Sequence, residues 1–159
     1  MKRRLLLRAI NAWPPFLGAG IRVKRFGPHA IDVEMKLRRW NRNYVGTHFG
    51  GSLYSMTDPF FMLMLLENLG SEYLVWDKAA TIRFRKPDRG TVRAEFRLSE
   101  EQVEEIKQVA AHGKTEPTFV VQVKDESGDV VAEVEKVLWV RRKADAGVAS
   151  TPTLSPPSA

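Results

Sequence analysis

The feature that most constrains the fold is residues 60–66, a segment in which every side chain is apolar. It is the longest apolar run in the chain, and a helix that is apolar on all sides is stable only when apolar surroundings cover it. Segments with the alternating apolar and polar pattern of half-buried strands lie on both sides of this run. The pattern therefore predicts an α+β protein in which a long antiparallel sheet wraps around a central buried helix.

The order of the other elements follows from their periodicity. Residues 2–12 have the spacing of a basic amphipathic helix, which Pro14 and Pro15 are expected to end. Strands are predicted at residues 21–26, 30–37, 73–76, 78–85, 91–98, 118–124 and 130–140.

A surface helix is predicted between the later strands, because Ser99 with Gln102 three residues on has the pattern of a capping box. This helix is expected to end at about His112. Residues 1–142 are expected to form a single domain with an N-terminal helix. Residues 143–159 have almost no bulky side chains, which predicts a disordered tail.

Composition excludes several classes of site. The 159-residue chain has no cysteine, so disulfides and thiolate sites are excluded, and its three histidines are too far apart in sequence to predict a metal cluster. Arg8 interrupts the apolar segment near the N-terminus, and no segment approaches the roughly 20 apolar residues of a membrane span. We therefore expect a cytoplasmic protein. Its net charge of +6 indicates an anionic partner, which nucleic acid, a membrane surface or a phosphate-bearing cofactor would each fit.

A motif in front of the buried helix carries a family resemblance. It consists of Asn43, Gly46, Thr47, Gly50, Gly51 and Asp58. The pattern resembles the hotdog-fold thioesterases of the phenylacetate-pathway (PaaI) type. With the segments NRNYVGTHFGGSLYSM and VWDKAA, the chain from about residue 13 to 141 is more similar still to the DUF4442 branch, often called tetrameric acyl-CoA thioesterases. The resemblance implies a hotdog fold and a homodimer or homotetramer.

This chain departs from the thioesterase motif at one position. The family motif has a histidine directly before the two glycines, but this chain has Phe49 there and His48 one residue earlier. On an extended loop, a shift of one residue points a side chain in the opposite direction.

The resemblance implies a mechanism of thioester hydrolysis. Asp58 would act as general base or nucleophile, and a backbone N–H of Gly50 or Gly51 would stabilise the oxyanion. Asn43 would orient the water or the carbonyl group, and His48 is a further candidate base. In dimers of this fold the family's acid faces the glycine loop of the other protomer. The implied site therefore spans a subunit interface.

Two alternatives remain open for the acidic residues. Asp58 is followed by Pro59, which is typical of a helix start with Asp58 as the N-cap. Asp77 is interpreted as structural, with entry into the site from the facing strand as the alternative.

The basic segment after the strand at 78–85 is a candidate site for the phosphates of coenzyme A, which is expected only as part of the substrate. Its members are Arg83, Arg85, Lys86 and Arg89, and a solvated sheet face is the alternative. Two other functions remain open: an acyl-CoA-binding or lipid-binding hotdog protein without turnover, and a basic nucleic-acid-binding protein. The strands lack the exposed aromatic residues, interleaved with basic ones, that single-strand binding needs.

Overall fold

The computed structural model describes residues 2–143, with side chains from Leu7 onward. The tail expected at residues 143–159 lies, except for its first residue, outside the described residues. Over the described range the helices are α1 (Lys2–Ala12), α2 (Pro14–Ala19), α3 (Gly50–Ser55), α4 (Phe60–Leu69) and α5 (Glu100–Ala111). The strands are β1 (Ile21–Phe26), β2 (Ala30–Lys36), β3 (Tyr73–Phe84), β4 (Thr91–Arg97), β5 (Lys114–Thr115), β6 (Thr118–Lys124) and β7 (Val130–Arg142).

The strands form one antiparallel sheet in the order β1-β2-β4-β6-β7-β3, and the short β5 also pairs with β7. The two longest strands, β7 and β3, pair from Tyr73–Arg142 at one end to Phe84–Ala132 at the other. Strand β3 is therefore the last strand of the sheet, and its outer edge has no partner among the described residues.

Helix α4 lies against the inner face of this sheet, as the apolar run predicts. Phe60 and Phe61 are buried, and their rings lie 5.0 and 5.2 Å from the ring of Phe96 on β4. The ring of Phe61 also stacks on Phe119 of β6 at 4.6 Å. These aromatic contacts join the helix to the centre of the sheet, and the helix ends at Gly70 with φ of 83°. The predicted α+β architecture is confirmed.

Two details differ from the sequence-based prediction. Pro14 and Pro15 end α1, but they also begin α2, because proline is well tolerated in the first turn of a helix. The two strands predicted at residues 73–76 and 78–85 are one strand, β3, with a bulge between Asp77 and Ala79. The short helix α3 precedes the buried helix α4 and is separate from it, since Pro59 has no N–H to continue a helix.

The surface helix α5 begins as predicted. The hydroxyl of Ser99 accepts a hydrogen bond from the backbone N–H of Gln102, whose side chain accepts one from the N–H of Ser99. In the described part of the chain, no helix combines the length and the apolar character that crossing a membrane requires.

Candidate functional site

The segment from Asn43 to Gly51, called here the glycine turn, is held together by the side chain of Asn43. Its amide nitrogen donates to Thr47 Oγ1 at 2.8 Å and to the carbonyl of His48 at 3.3 Å. Its carbonyl oxygen accepts from the backbone N–H groups of Thr47 and Val45, at 2.9 and 3.1 Å. Both donor hydrogens of Asn43 are therefore engaged within the turn, which fixes the loop that leads into α3.

Gly50 and Gly51 form the first two positions of α3, and a side chain at either position would meet an aromatic ring. A Cβ atom at Gly50 would lie 2.9 Å from the ring of Phe84, and one at Gly51 would lie 2.5 Å from the ring of Phe49. Among the described residues, neither glycine N–H donates a hydrogen bond. The turn thus offers two free backbone donors at a helix start, which is the arrangement that stabilises an oxyanion.

His48 points into the protein, while Phe49 points out. The imidazole is buried, its Nε2 is 3.1 Å from the carbonyl of Gly90, and the carboxylate of Asp88 is 3.7 Å away. Its Nδ1 is buried and has no hydrogen-bond partner among the described residues. Burial lowers the pKa of His48, and Gly90 and Asp88 oppose that effect only in part. Phe49, in the position of the family histidine, is 56% exposed.

A cavity of about 340 Å³ brings several of the predicted residues together. It is lined by Asn43, Thr47, His48, Gly50, Leu53, Phe84, Arg85, Lys86, Pro87 and Asp88. The glycine turn therefore faces the same space as Arg85 and Lys86, the two middle members of the basic segment. Arg83 and Arg89 are exposed and are not among the residues that line it.

The basic residues of this cavity already have acidic partners. Arg85 contacts Glu133 at 3.2 Å, and Lys86 lies between Asp125 and Asp129. These hydrogen bonds raise the pKa of Lys86 to about 12. A phosphate group that bound here would have to compete with those carboxylates.

Asp58 does not cap a helix. The residue before α4 is Pro59, and no side chain forms a cap hydrogen bond there. Instead, Asp58 Oδ1 accepts a hydrogen bond from the Tyr54 hydroxyl at 2.7 Å and from Lys136 Nζ at 2.8 Å. The Asp58 side chain is 44% exposed, so this carboxylate is both anchored and accessible.

Lys136 lies at the centre of a group that we call the acid cluster: Tyr54, Asp58, Asp77 and Lys136. The lysine is fully buried, and its Nζ is 3.0 Å from Asp77 Oδ1 and 3.3 Å from the Tyr54 hydroxyl. Burial alone would lower the pKa of Lys136, but the contacts with the carboxylates of Asp58 and Asp77 outweigh it, so the pKa is raised. Burial raises the pKa values of Asp77 and Tyr54. Lys136 is therefore a permanent cation beside two acids.

Lys136 was not predicted, although the sequence contains a signal for it. In the alternating pattern of β7, the inward positions include Val134, Lys136 and Leu138, so a lysine occurs in a row of apolar residues. A charge at a core position indicates a buried partner. The partner could not be identified, because Asp58 and Asp77 come from distant parts of the chain.

The bulge in β3 explains how the cluster forms on that strand. Asp77 is paired with Leu138 and Ala80 with Lys136, and one extra residue on β3 lies between these two pairs. Both Asp77 and Ala80 can therefore lie on the same face as the inward residues of β7.

The glycine turn and the acid cluster lie at opposite ends of the α3 segment in one protomer. Helix α3 begins at Gly50 and ends at Ser55, a helical rise of about 7.5 Å, and Asp58 lies three residues beyond its end. One carbonyl group cannot contact both ends. Within the described residues, no group of three or more acidic or histidine side chains could hold a metal ion.

Comparison with known proteins connects this fold to one family. The model of the family described as "Domain of unknown function (DUF4442)" matches residues 2–140. A crystal structure from Pseudomonas aeruginosa, a protein of unknown function described as a probable thioesterase, is 26% identical with a TM-score of 0.81; the match covers 90% of this chain and 97% of that one. No curated protein sequence matches the chain.

More distant solved structures share the architecture. The E. coli PaaI protein from the phenylacetic acid degradation operon is 16% identical with a TM-score of 0.62, and the match covers 89% of this chain and 93% of that one. A thioesterase from Haemophilus influenzae is 14% identical with a TM-score of 0.63, over 89% of this chain and 92% of that one. The fold is the hotdog fold of the thioesterases, as the sequence resemblance implied.

Proposed function

The chain belongs to the DUF4442 family, and we propose that it hydrolyses an acyl-CoA thioester at a site shared by two copies of the chain. The observation that carries this proposal is the Asp58 carboxylate, which is fixed through Oδ1 and still 44% exposed. A carboxylate held in this way is suited to act on a water molecule. The names of structural relatives, which include thioesterases, support the reaction class.

The reaction needs an activated water and a site for the oxyanion. The water oxygen attacks the thioester carbonyl carbon while its proton passes to Asp58. The carbonyl oxygen then carries negative charge and accepts hydrogen bonds from the N–H groups of Gly50 and Gly51. The carbon–sulfur bond breaks next, and the thiolate takes up the proton, giving a carboxylic acid and coenzyme A. Direct attack by Asp58 to form an anhydride is the alternative route.

The distance between the two halves of the site supports sharing between subunits. Gly50 begins α3 and Asp58 lies three residues beyond the end of that helix, whereas the attacking water and the oxyanion donors must meet at one carbonyl group. A second copy that brings its glycine turn to Asp58 would remove this gap.

Strand β3 offers the surface for that second copy. Its outer edge is unpaired among the described residues, and Ala80 and Phe84, which follow the inward pattern of the strand, are exposed. An antiparallel pairing of two β3 edges about a two-fold axis between Ala80 and Thr81 would pair residue 77 of one copy with residue 84 of the other. Asp77 belongs to the acid cluster and Phe84 contacts Gly50, so this register joins one copy's acid to the other's glycine turn.

The reaction is tested by measuring coenzyme A release from a panel of acyl-CoA thioesters. We expect Asp58→Asn to lower kcat by about 10³-fold, because it removes the proton acceptor while keeping the side-chain shape. Asn43→Ala tests the predicted positioning role of Asn43. Because the Asn43 side chain binds within the glycine turn, this residue would act by holding the turn rather than by contacting the substrate. Release of coenzyme A that is unchanged in Asp58→Asn would contradict the mechanism.

Sharing of the site is tested by mixing two inactive variants. Asp58→Asn and Gly51→Val are unfolded together and refolded as an equal mixture. If each site takes one residue from each copy, mixed dimers contain one intact site and the mixture regains about a quarter of wild-type activity. If both residues serve the same site within one copy, no activity returns.

A second candidate function is binding of an acyl-CoA or lipid without turnover. Phe49 in the position of the family histidine and the engaged side chain of Asn43 favour it. Binding of acyl-CoA without coenzyme A release, and with the same affinity in Asp58→Ala, would support this function over hydrolysis.

A further inference from the structure

Lys136 occupies a position that apolar side chains fill elsewhere in the same row. It lies between the inward residues Val134 and Leu138 of β7, and none of its surface is exposed. Taking an ammonium group out of water is unfavourable unless other groups replace its hydration. A methionine would fit the pattern of the row without that cost. The presence of lysine therefore needs an explanation beyond core packing.

Three oxygen atoms surround the ammonium group. It donates hydrogen bonds to Asp58 Oδ1 at 2.8 Å and to the Tyr54 hydroxyl at 3.3 Å, and it forms an ion pair with Asp77 Oδ1 at 3.0 Å. The face of the Tyr54 ring, 5.3 Å from Nζ to its centroid, covers the cation further. The three partners of Lys136 come from α3 (Tyr54), from β3 (Asp77) and from the residues between α3 and α4 (Asp58).

Charge balance alone would need only one of the two carboxylates. Asp77, with 24% of its side chain exposed, already neutralises the ammonium group. The Asp58 side chain is 44% exposed and would be hydrated without Lys136. Buried ion pairs add little stability compared with apolar side chains of similar size. The contact between Lys136 and Asp58 is better explained by what it does to Asp58.

That contact fixes the direction of the carboxylate. Tyr54 and Lys136 both bind Oδ1, from the helix side and from the sheet side. Since the two oxygens of a carboxylate are joined rigidly through one carbon, holding Oδ1 at two points also directs Oδ2. A catalytic group that is misplaced by 1 Å loses about 10²-fold in rate, so such support matters for a side chain that is otherwise partly in solvent.

We propose that Lys136 is a positioning residue which, anchored by Asp77 on the edge strand, holds Asp58 so that Oδ2 acts on the attacking water. Tyr54 completes the support from the helix. The inference rests on the proposed hydrolysis for its catalytic meaning, but the position of Asp58 can be measured independently of activity.

The test compares Lys136→Met/Asp77→Asn with the wild-type protein. The double variant removes the cation together with the anion that anchors it, so no uncompensated buried charge is left to prevent folding. Lys24→Met is the matched control, because Lys24 is an exposed β1 residue paired with Glu34 at 3.4 Å. Folding is checked by thermal unfolding and the assembly by sedimentation. The measured quantities are kcat, KM for acyl-CoA and the crystal structure of each variant.

We expect the double variant to fold, to keep KM within about threefold and to lose about 10²-fold in kcat. Its crystal structure should show Asp58 turned away from the wild-type direction, with Lys24→Met unchanged in both respects. A folded double variant with wild-type kcat overturns the inference, and so does one in which Asp58 keeps its direction. If the wild-type protein releases no coenzyme A from any substrate, the proposed function fails, and the crystal structures alone decide whether Lys136 holds Asp58.

Discussion

The acid cluster and the glycine turn each bury a basic side chain, but the two regions treat its charge in opposite ways. Lys136 has carboxylate oxygens of Asp58 and Asp77 at 2.8 and 3.0 Å, and its pKa is raised. His48 has its nearest carboxylate, that of Asp88, at 3.7 Å, and its pKa is lowered by burial. Burial acts in the same direction on both residues, so the number and distance of the carboxylates decide the outcome.

This difference assigns different tasks to the two regions. The acid cluster keeps a cation and a directed carboxylate, which are the groups that proton transfer requires. The glycine turn keeps a neutral imidazole and free backbone N–H groups, which shape and bind without titrating. Charge therefore supports one half of the proposed site and backbone geometry the other.

The largest effect on stability is expected from Lys136→Met alone. The substitution leaves Asp77 half-buried and without its cation. Removing one member of a buried ion pair destabilises the folded state, and we expect a loss of about 3 kcal/mol, the lower end of the usual range. The lower end applies because water can reach Asp58, whose side chain is 44% exposed. Denaturant unfolding measures the loss, and adding Asp77→Asn should restore most of it. A single variant as stable as wild type would mean that the cluster is open to water.

A smaller, pH-dependent effect is expected from His48→Gln. Because the folded-state pKa of His48 lies below the usual value of 6.5, the unfolded chain binds a proton that the folded chain does not. The stability from neutral His48 is present above about pH 6.5 and is lost as the pH falls toward the folded-state pKa, by at most about 1.4 kcal/mol per pH unit.

Unfolding free energies measured between pH 7.5 and 5.5 test this sign. The wild-type protein should lose more stability over that range than His48→Gln. The exposed His112, replaced in the same way, serves as the control for the substitution itself. Equal slopes for the wild type and His48→Gln would show that the imidazole is hydrated in solution.

The smallest effect on stability is expected from Gly51→Ala, although its effect on activity should be large. The new methyl group would meet the ring of Phe49, which is exposed and can swing away, while alanine favours the helix by up to about 1 kcal/mol. The displaced ring and the methyl group would crowd the two N–H donors, and loss of one such donor costs about 10²-fold in kcat.

Gly18→Ala is the matched control, since nothing lies within 4 Å of its Cβ position in α2. It should be neutral or slightly stabilising and leave activity unchanged. If Gly51→Ala had wild-type kcat, the N–H groups of the glycine turn would not be the oxyanion donors. The proposed division of tasks between the two regions would then be wrong.

The elements could be predicted from sequence because their signals are local. The strands at residues 21–26 and 118–124 and the capping box at Ser99 have the predicted bounds and contacts, since alternation and capping depend on neighbours within a few residues. The motif residues Asn43, His48 and Gly50 were also found in sequence, and the structure gathers them around one cavity. Their catalytic roles remain predictions.

The errors arose where distant residues decide a local conformation. The capping interpretation of Asp58 had a valid local pattern, but Tyr54 and Lys136 bind its carboxylate instead. The contact between Asp77 and Lys136 could not be predicted, because the bulge that places Asp77 beside Lys136 leaves no pattern of its own in the sequence.

The sequence by itself determined the α+β architecture and the buried helix, because apolar periodicity and turn residues act over a few positions. The resemblance of its glycine and acid motif to the thioesterases implied the hotdog fold. Only the tertiary structure decided that Lys136 lies between Asp58 and Asp77 and that His48 faces inward. Those contacts join residues up to 78 positions apart. Their charges acquire their strength only when folding excludes water from around them.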